Sequence, residues 1–225
     1  FGSSSGDRSS SEFYFESLVP IVASEDLIAE PVLEANISLR ATQYSDFGSE
    51  ANPKLAMRYR PNNDLMLRGS ISQGFRAPSL FELNQSDSIS QAFLVDPCSN
   101  SENVGLLLGC DVQTDPLRVQ YLTVTGGNPN LHPETSKNLS LGFIYTPPGL
   151  RNFTFGLDVY RIEIDNIIGA SGQFFLDQNA AGLSFSDRII RDENGEVIRV
   201  VANNENLGMR KISGFDADIS WRVFI

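Results

Sequence analysis

Period-two alternation sustained over ten or more residues constrains this chain more than any other feature in it. From Leu33 the odd positions read Leu33, Ala35, Ile37, Leu39 and Ala41, while the even ones read Glu34, Asn36, Ser38, Arg40 and Thr42. Successive side chains of a strand point to opposite faces, so one face here is apolar and the other polar. The pattern returns along the chain. Leu55, Met57 and Tyr59 alternate with Lys54, Arg58 and Arg60, and Leu65, Leu67 and Ile71 with Arg68, Ser70 and Ser72. Leu139, Leu141, Phe143 and Tyr145 share a face with Thr135 and Lys137 at its outer end, opposite Asn138 and Ser140. Phe153, Phe155, Leu157 and Val159 oppose Thr154, Gly156 and Asp158. Last, Phe215, Ala217, Ile219, Trp221, Val223 and Ile225 oppose Asp216, Asp218, Ser220 and Arg222. With the less regular stretch at 12–22 this makes seven candidate strands, and no stretch shows a helical period. Near Tyr160 the phase slips to Ile162 and Ile164, which predicts a bulge or a membrane edge there.

Such runs exceed the five or six residues usual in soluble sheets and match the roughly 9–11 that a membrane-crossing strand needs. A soluble β-sandwich alternates too, but with shorter strands and turns spaced every ~8–12 residues. The connections speak against it. Those at 61–64 (PNND) and 147–152 (PPGLRN) are short and rich in turn formers, whereas those at 77–133 and 169–211 are long. Long and short links alternate strand by strand, which places the long ones together at one end. Outer-membrane barrels have short periplasmic turns and long extracellular loops. Aromatic residues fit two interfacial girdles: Tyr44, Phe47 and Phe75 toward the long loops, and Tyr59, Tyr145 and Phe153 toward the short turns.

Composition narrows the function. Hydrophobic residues at 41% exclude a disordered chain, and no apolar run approaches a membrane helix. A formal charge of −11 argues against nucleic acid as a partner, because phosphate binding wants a basic patch. Cys98 and Cys110, an even pair in a polar stretch, predict a disulfide and an oxidising compartment. His132 is the only histidine, too few ligands for zinc and no partner for a catalytic triad. Asp216 and Asp218 share a strand face, as polar lumen residues do, without the setting of a glycosidase pair. GGN at 126–128 reads as a turn, and Asn194-Gly195 as a hairpin turn decorating the second long loop. No enzyme, metal or cofactor is expected. The first long loop carries six carboxylates (Glu82, Asp87, Asp96, Glu102, Asp111 and Asp115) against Arg118; such an acidic mouth can attract cationic solutes, but a solvated acidic surface that binds nothing is the default reading.

Two strings go further. QGFRAPSLFEL at 73–83 and GGNPNLHPETSKNLSLGF at 126–143 resemble, as a pair, the signatures of the TonB-dependent receptor barrel. YSDFGSEANPKLAMRYRP at 44–61, DVYRIEIDNII at 158–168 and ISGFDADISW at 212–221 resemble other recurrent segments of those barrels, in order. The resemblance covers nearly the whole chain. It implies an all-β fold: an antiparallel transmembrane barrel segment of about seven long strands, out of 22 in the whole barrel, with long extracellular loops. Residues 1–225 are then expected to be part of a barrel domain, because the chain opens at Phe1 and stops at Ile225 within an alternation. The plug, the TonB box and the remaining strands are expected to lie outside it.

The implied function is import of a scarce solute (siderophore, cobalamin, saccharide or peptide) across the Gram-negative outer membrane with TonB-coupled energy. Implied partners are the TonB complex through the N-terminal region of the whole receptor, outer-membrane lipid, lipopolysaccharide and a small solute. Another outer-membrane barrel, a porin or autotransporter, is the alternative, and a soluble β-rich binding protein or hydrolase the third reading. Arg76 shares the parity of Arg68, Ser70 and Ser72, so Arg76, Asp216 and Asp218 are the candidate lumen or rim residues.

Overall fold

The computed structural model describes residues 5–23, 31–150, 152–183 and 185–222. The chain begins with four long strands in antiparallel order, β1 (Ser10–Val22), β2 (Leu33–Tyr44), β3 (Gly48–Asn62) and β4 (Leu65–Arg76). A first excursion contains α1 (Leu80–Asn84), β5 (Ser88–Phe93) and β6 (Gln120–Thr125). The chain then forms β7 (Glu134–Tyr145) and β8 (Phe153–Asp165). A second excursion contains β9 (Ile168–Gly169), α2 (Gly172–Ala180), β10 (Ile189–Arg191), β11 (Val197–Val201) and β12 (Glu205–Asn206), before β13 (Met209–Trp221). The long strands form one seven-stranded sheet in the order β1-β2-β3-β4-β7-β8-β13. The expected seven strands and all-β class are borne out; Val223 and Ile225, where the alternation was expected to continue, lie outside the described residues.

The two excursions leave the sheet after Arg76 and Asp165 and rejoin it at Glu134 and Met209, positions paired with one another at one end of the sheet. The other end carries the short turns. At 61–64 the Asn62 side chain accepts from the backbone N–H groups of Asp64 and Leu65, which fixes the reversal locally. One link departs from the expected alternation of lengths: residues 45–47 form a tight turn at the long-loop end. β3 therefore starts at Gly48, earlier than the pattern from Lys54 suggested.

No bulge occurs at Tyr160. β8 pairs without a register shift on both sides, and the shifts fall instead between Pro20 and Val22 and between Tyr59 and Asn62, beside prolines that cannot donate to a ladder. The phase slip is instead a change of composition along one face. Val159 and Leu157 lie on the same face as Arg161 and Glu163, which continue it in charged form.

The chain divides into two units. The sheet, residues 8–77, 132–167 and 208–225, has almost no core: Ala35 is its one buried hydrophobic residue among those described. Its apolar face is bare, with Leu141 53%, Ile71 55% and Phe215 72% exposed. A sandwich would cover that face with a second sheet, so this arrangement removes the sandwich reading. The other unit, residues 1–7, 78–131 and 168–207, has a core of Tyr121, Phe175, Leu176, Ile189, Val197 and Val200. The Asn194-Gly195 turn, with Gly195 at φ +84°, connects β10 to β11. This hairpin is no decoration: β11 pairs in parallel with β6 of the first excursion, inside a four-stranded sheet β10-β11-β6-β5.

Candidate functional site: the inner wall of the sheet

The polar face of the sheet is the candidate site, and strand register organises it. Reading across the sheet, Glu34 of β2 pairs with Arg58 of β3, Arg58 with Arg68 of β4, and Arg68 with Gly142 of β7. Gly142 in turn pairs with Asp158 of β8, and Asp158 with Asp216 of β13. One cross-strand rung thus carries carboxylate, guanidinium, guanidinium, glycine, carboxylate and carboxylate. Arg58 Nη2 lies 2.6 Å from Glu34 Oε1, and Glu34 is 8% exposed. Arg68 reaches past β7 to Asp158, with Nε donating to Oδ1 at 2.9 Å and Nη2 to Oδ2.

Gly142 permits that reach. A Cβ at this position would sit 2.0 Å from Asp158 Oδ1, so any larger residue would displace the carboxylate from Arg68. Bidentate charge-assisted pairs of this kind fix orientation as well as contributing energy. Two recesses flank the rung. One, of about 270 Å³, is lined by Glu34, Lys54, Arg58, Arg68 and Ser140; the other, of about 250 Å³, by Arg68, Asp158, Asp216 and Asp218.

The sequence-predicted residues separate here. Asp216 and Asp218 share a recess with the Arg68–Asp158 pair. Arg76 does not join them: it pairs across β4–β7 with Glu134, Nε to Oε2 at 2.9 Å and Nη2 to Oε1 at 2.6 Å, at the long-loop end. The rung itself escaped sequence reasoning. Parity was readable, but which polar residue faces which depends on register, and only the short turn at 61–64 announced any register in advance.

In the loop unit Cys98 and Cys110 form a disulfide, as expected. Two carboxylates of the acidic mouth, Asp96 and Glu82, are committed within the loops. Asp96 is buried, accepting from both Arg191 terminal nitrogens (2.7 and 3.1 Å), from Thr114 Oγ1 (3.1 Å) and from the Cys98 N–H (3.2 Å). Glu82 closes a capping box with Ser79 at the start of α1. GGN at 126–128 is a close backbone approach more than a turn, since a Cβ on Gly127 would meet Leu83 O and Gln85 N at 2.6 Å. Tyr121 donates to the Arg118 carbonyl at 3.0 Å; burial pushes its phenol above the usual value, and the Asp96 carboxylate adds to that.

Among the described residues no group of three or more His, Cys, Asp or Glu side chains is placed to hold a metal ion, and no helix is long and apolar enough to cross a membrane. A sheet bare and apolar on one face, charged and recessed on the other, with long connections at one end, defines the wall of a transmembrane β-barrel.

The chain belongs to a family of such walls: residues 2–225 match the family described as TonB dependent receptor-like, beta-barrel. It is an outer-membrane protein of the Gram-negative kind, in a receptor family and not an enzyme family. It is 26% identical over 142 residues to the probable TonB-dependent siderophore receptor PirA of Acinetobacter baumannii, covering 61% of this chain and 15% of that protein. The structure of PirA from Pseudomonas aeruginosa superposes with a TM-score of 0.59 at 20% identity, over 94% of this chain and 31% of that one. PirA from A. baumannii gives 0.60 at 17%, over 96% and 26%. A mutant ferric enterobactin receptor of P. aeruginosa in complex with enterobactin gives 0.54 at 18%, over 84% and 22%. The chain thus spans under a third of the length of these relatives, and the structural likenesses, all at or below 20% identity, speak for the fold.

Proposed function

We propose that this chain is one sector of the barrel of a TonB-coupled importer of ferric siderophores, in a barrel of 22 strands whose plug and TonB box lie in other parts of the receptor. The observation that carries the reading is the charged rung on the inner face, because a wall that faces a polar interior has reason to fix guanidinium and carboxylate groups in register. The names of the relatives favour a ferric siderophore over cobalamin, a saccharide or a peptide. On this reading the partners are the TonB complex, reached through the N-terminal region of the whole receptor, and the lipid and lipopolysaccharide around the wall. Asp216 and Asp218, beside the Arg68–Asp158 pair, meet the interior; Arg76, paired with Glu134, braces the rim.

Uptake of radiolabelled iron tests it. Cells whose only siderophore receptor is the full-length protein carrying this chain should take up iron supplied with a catecholate or hydroxamate siderophore. That uptake should fall to background when TonB is deleted. Uptake that survives the deletion marks a passive, porin-like channel and sinks the proposal, as does the absence of uptake with every siderophore tried.

A further inference from the structure

The four-stranded sheet of the loop unit, β10-β11-β6-β5, guards one of its edges and leaves the other open. At the guarded edge β10 is three residues long, its register shifts between Ile190 and Arg191, and Arg188 and Asp192 flank it. Shortness, a bulge and charge are the usual means by which an edge strand avoids further pairing. The open edge, β5, has none of them. It is six residues long and pairs with β6 without a shift, and residues 88–95 (SISQAFLV) contain no charge and no proline. Ile89 and Phe93 share one of its faces at 67% and 76% exposure.

The ladder fixes which backbone groups are left over. The Leu94 N–H donates to the Val119 carbonyl at 3.1 Å in the same register, so Ala92, Ser90 and Ser88 are the residues that exchange bonds with β6. The N–H and C=O groups of Ile89, Gln91 and Phe93 point the other way and have no partner among the described residues. Val95 shows what such groups take when something is offered. The Gln173 side chain of α2 accepts from the Val95 N–H and donates to the Val95 carbonyl, both at 2.8 Å, an amide standing where a strand would. At Phe93, Gln91 and Ile89 the edge has no such cover.

Charge decides among occupants. Residues 78–131 and 168–207 hold twelve carboxylates against four arginines. Two of the arginines are engaged inside the unit, Arg191 with Asp96 and Arg188 with Glu205. Among the described residues of these segments eight carboxylates are exposed, against one exposed arginine, Arg199. A second copy would bring the same charge to the contact, and an acidic strand would be repelled, whereas a basic strand is drawn in. Exposed Asp87 immediately precedes β5.

We propose that β5 is a docking edge for a basic polypeptide segment in extended form, which joins the sheet as a fifth strand. Its backbone pairs with Ile89, Gln91 and Phe93, its alternate apolar side chains lie against Ile89 and Phe93, and its basic side chains face the acidic surface of the unit. The site lies wholly in the loop unit and does not depend on which solute is imported, so this proposal and the iron-uptake reading fail separately.

The test uses the full-length receptor in detergent and a fluorophore-labelled octapeptide of alternating lysine and valine. Wild type should bind it, read by anisotropy. Residue-resolved hydrogen exchange should show the amides of Ile89, Gln91 and Phe93 fast without peptide and slow with it, while those of Ser90 and Ala92 stay slow throughout. Gln91→Pro removes a donor that the native ladder does not use, so it should leave β6 protected and weaken binding about tenfold. Should the proline variant not fold, Phe93→Lys, at an exposed position, decides by a several-fold loss. Methylating every backbone nitrogen of the peptide keeps its charge and side chains and should abolish binding. No binding by wild type overturns the site. Equal binding of the methylated peptide, or equal binding by a folded variant, marks plain charge attraction and overturns it too. Equal binding of a glutamate–valine octapeptide overturns the basic class. Amides at 89, 91 and 93 that are already slow in the receptor alone, or a receptor dimer that Gln91→Pro breaks up, would mean that another segment or a second copy covers the edge, and either result overturns the proposal.

Discussion

The sheet and the loop unit solve opposite problems with one chain. In the loop unit apolar side chains turn toward one another: Phe175, Leu176, Val197 and Val200 are fully buried, and a buried carboxylate, Asp96, has every contact satisfied from inside the unit. In the sheet the apolar side chains turn away from everything in the chain, and the charged ones pair across the inner face. Burial from water drives both. The loop unit supplies its own apolar environment, whereas the sheet leaves that to lipid. The same substitution chemistry should therefore have different consequences in the two places.

The largest effect should fall on the loop unit. Arg191 belongs to the second excursion and Asp96 to the first, so their pair joins two segments far apart in sequence. Arg191→Met leaves the Asp96 carboxylate buried without its counter-charge, a change worth about 3–5 kcal/mol. Hydrogen exchange of the full receptor should show residues 96–131 and 172–202 losing protection together while the seven strands keep theirs. Loss of protection in the strands as well would break the comparison, because the two regions would then be one cooperative body.

A smaller effect, in the other region, separates lipid from core. Phe215 shares its rung with Val159 and Leu141 near the middle of the outward face, and its neighbour Asp216 faces inward. Phe215→Arg should cost about 2–4 kcal/mol if the site lies near the midplane. Asp216→Arg, beside the Asp158 carboxylate on a polar face, should cost less than about 1 kcal/mol. A label on a cysteine at 215 should be quenched by lipid-borne quenchers, and one at 216 should not. Equal quenching would mean that the two faces share one environment, contrary to the register.

What the sequence disclosed follows the same division. The sheet was legible because a two-sided environment writes itself as alternation, position by position, from Leu33 to Thr42 and from Phe215 to Trp221. β4 ends at Arg76, two residues before Pro78, which cannot donate to a ladder. The first six residues of β3 were not legible, since Ala51, Asn52 and Pro53 interrupt the alternation and proline argues against a strand interior. The loop unit was nearly opaque. Its helix α2 has nine residues and one clear signal, the Ser171 cap, with buried positions at Phe175, Leu176 and Ala180 too few to show a period. Its core forms between β6 and β11, a pairing that no local pattern announces. The charged rung lay between these extremes: each residue's face was readable, but its partners were set by register.

The smallest effect sharpens the comparison by pH. Residues 78–131 and 168–207 contain one tyrosine, Tyr121, and no lysine, so Tyr121 is the one phenol or amine side chain in the described part of the loop unit. All the lysines and the other tyrosines belong to the sheet segments. Burial, and then Asp96, hold the Tyr121 phenol above its unfolded value of about 10. The folded unit thus binds this proton more tightly than the unfolded chain does. The corresponding stability is complete below pH ~10 and is lost as the pH rises through the folded value. Protease protection of the loops in the full receptor should decline in that window, with a parallel rise of tyrosinate absorbance. Tyr121→Phe gives up the hydrogen bond to the Arg118 carbonyl, a loss of about 1 kcal/mol at neutral pH, and should flatten the alkaline decline. An equally steep decline in the phenylalanine variant would show that the alkaline sensitivity arises in the sheet, and that the loop unit does not stand apart from it in this respect.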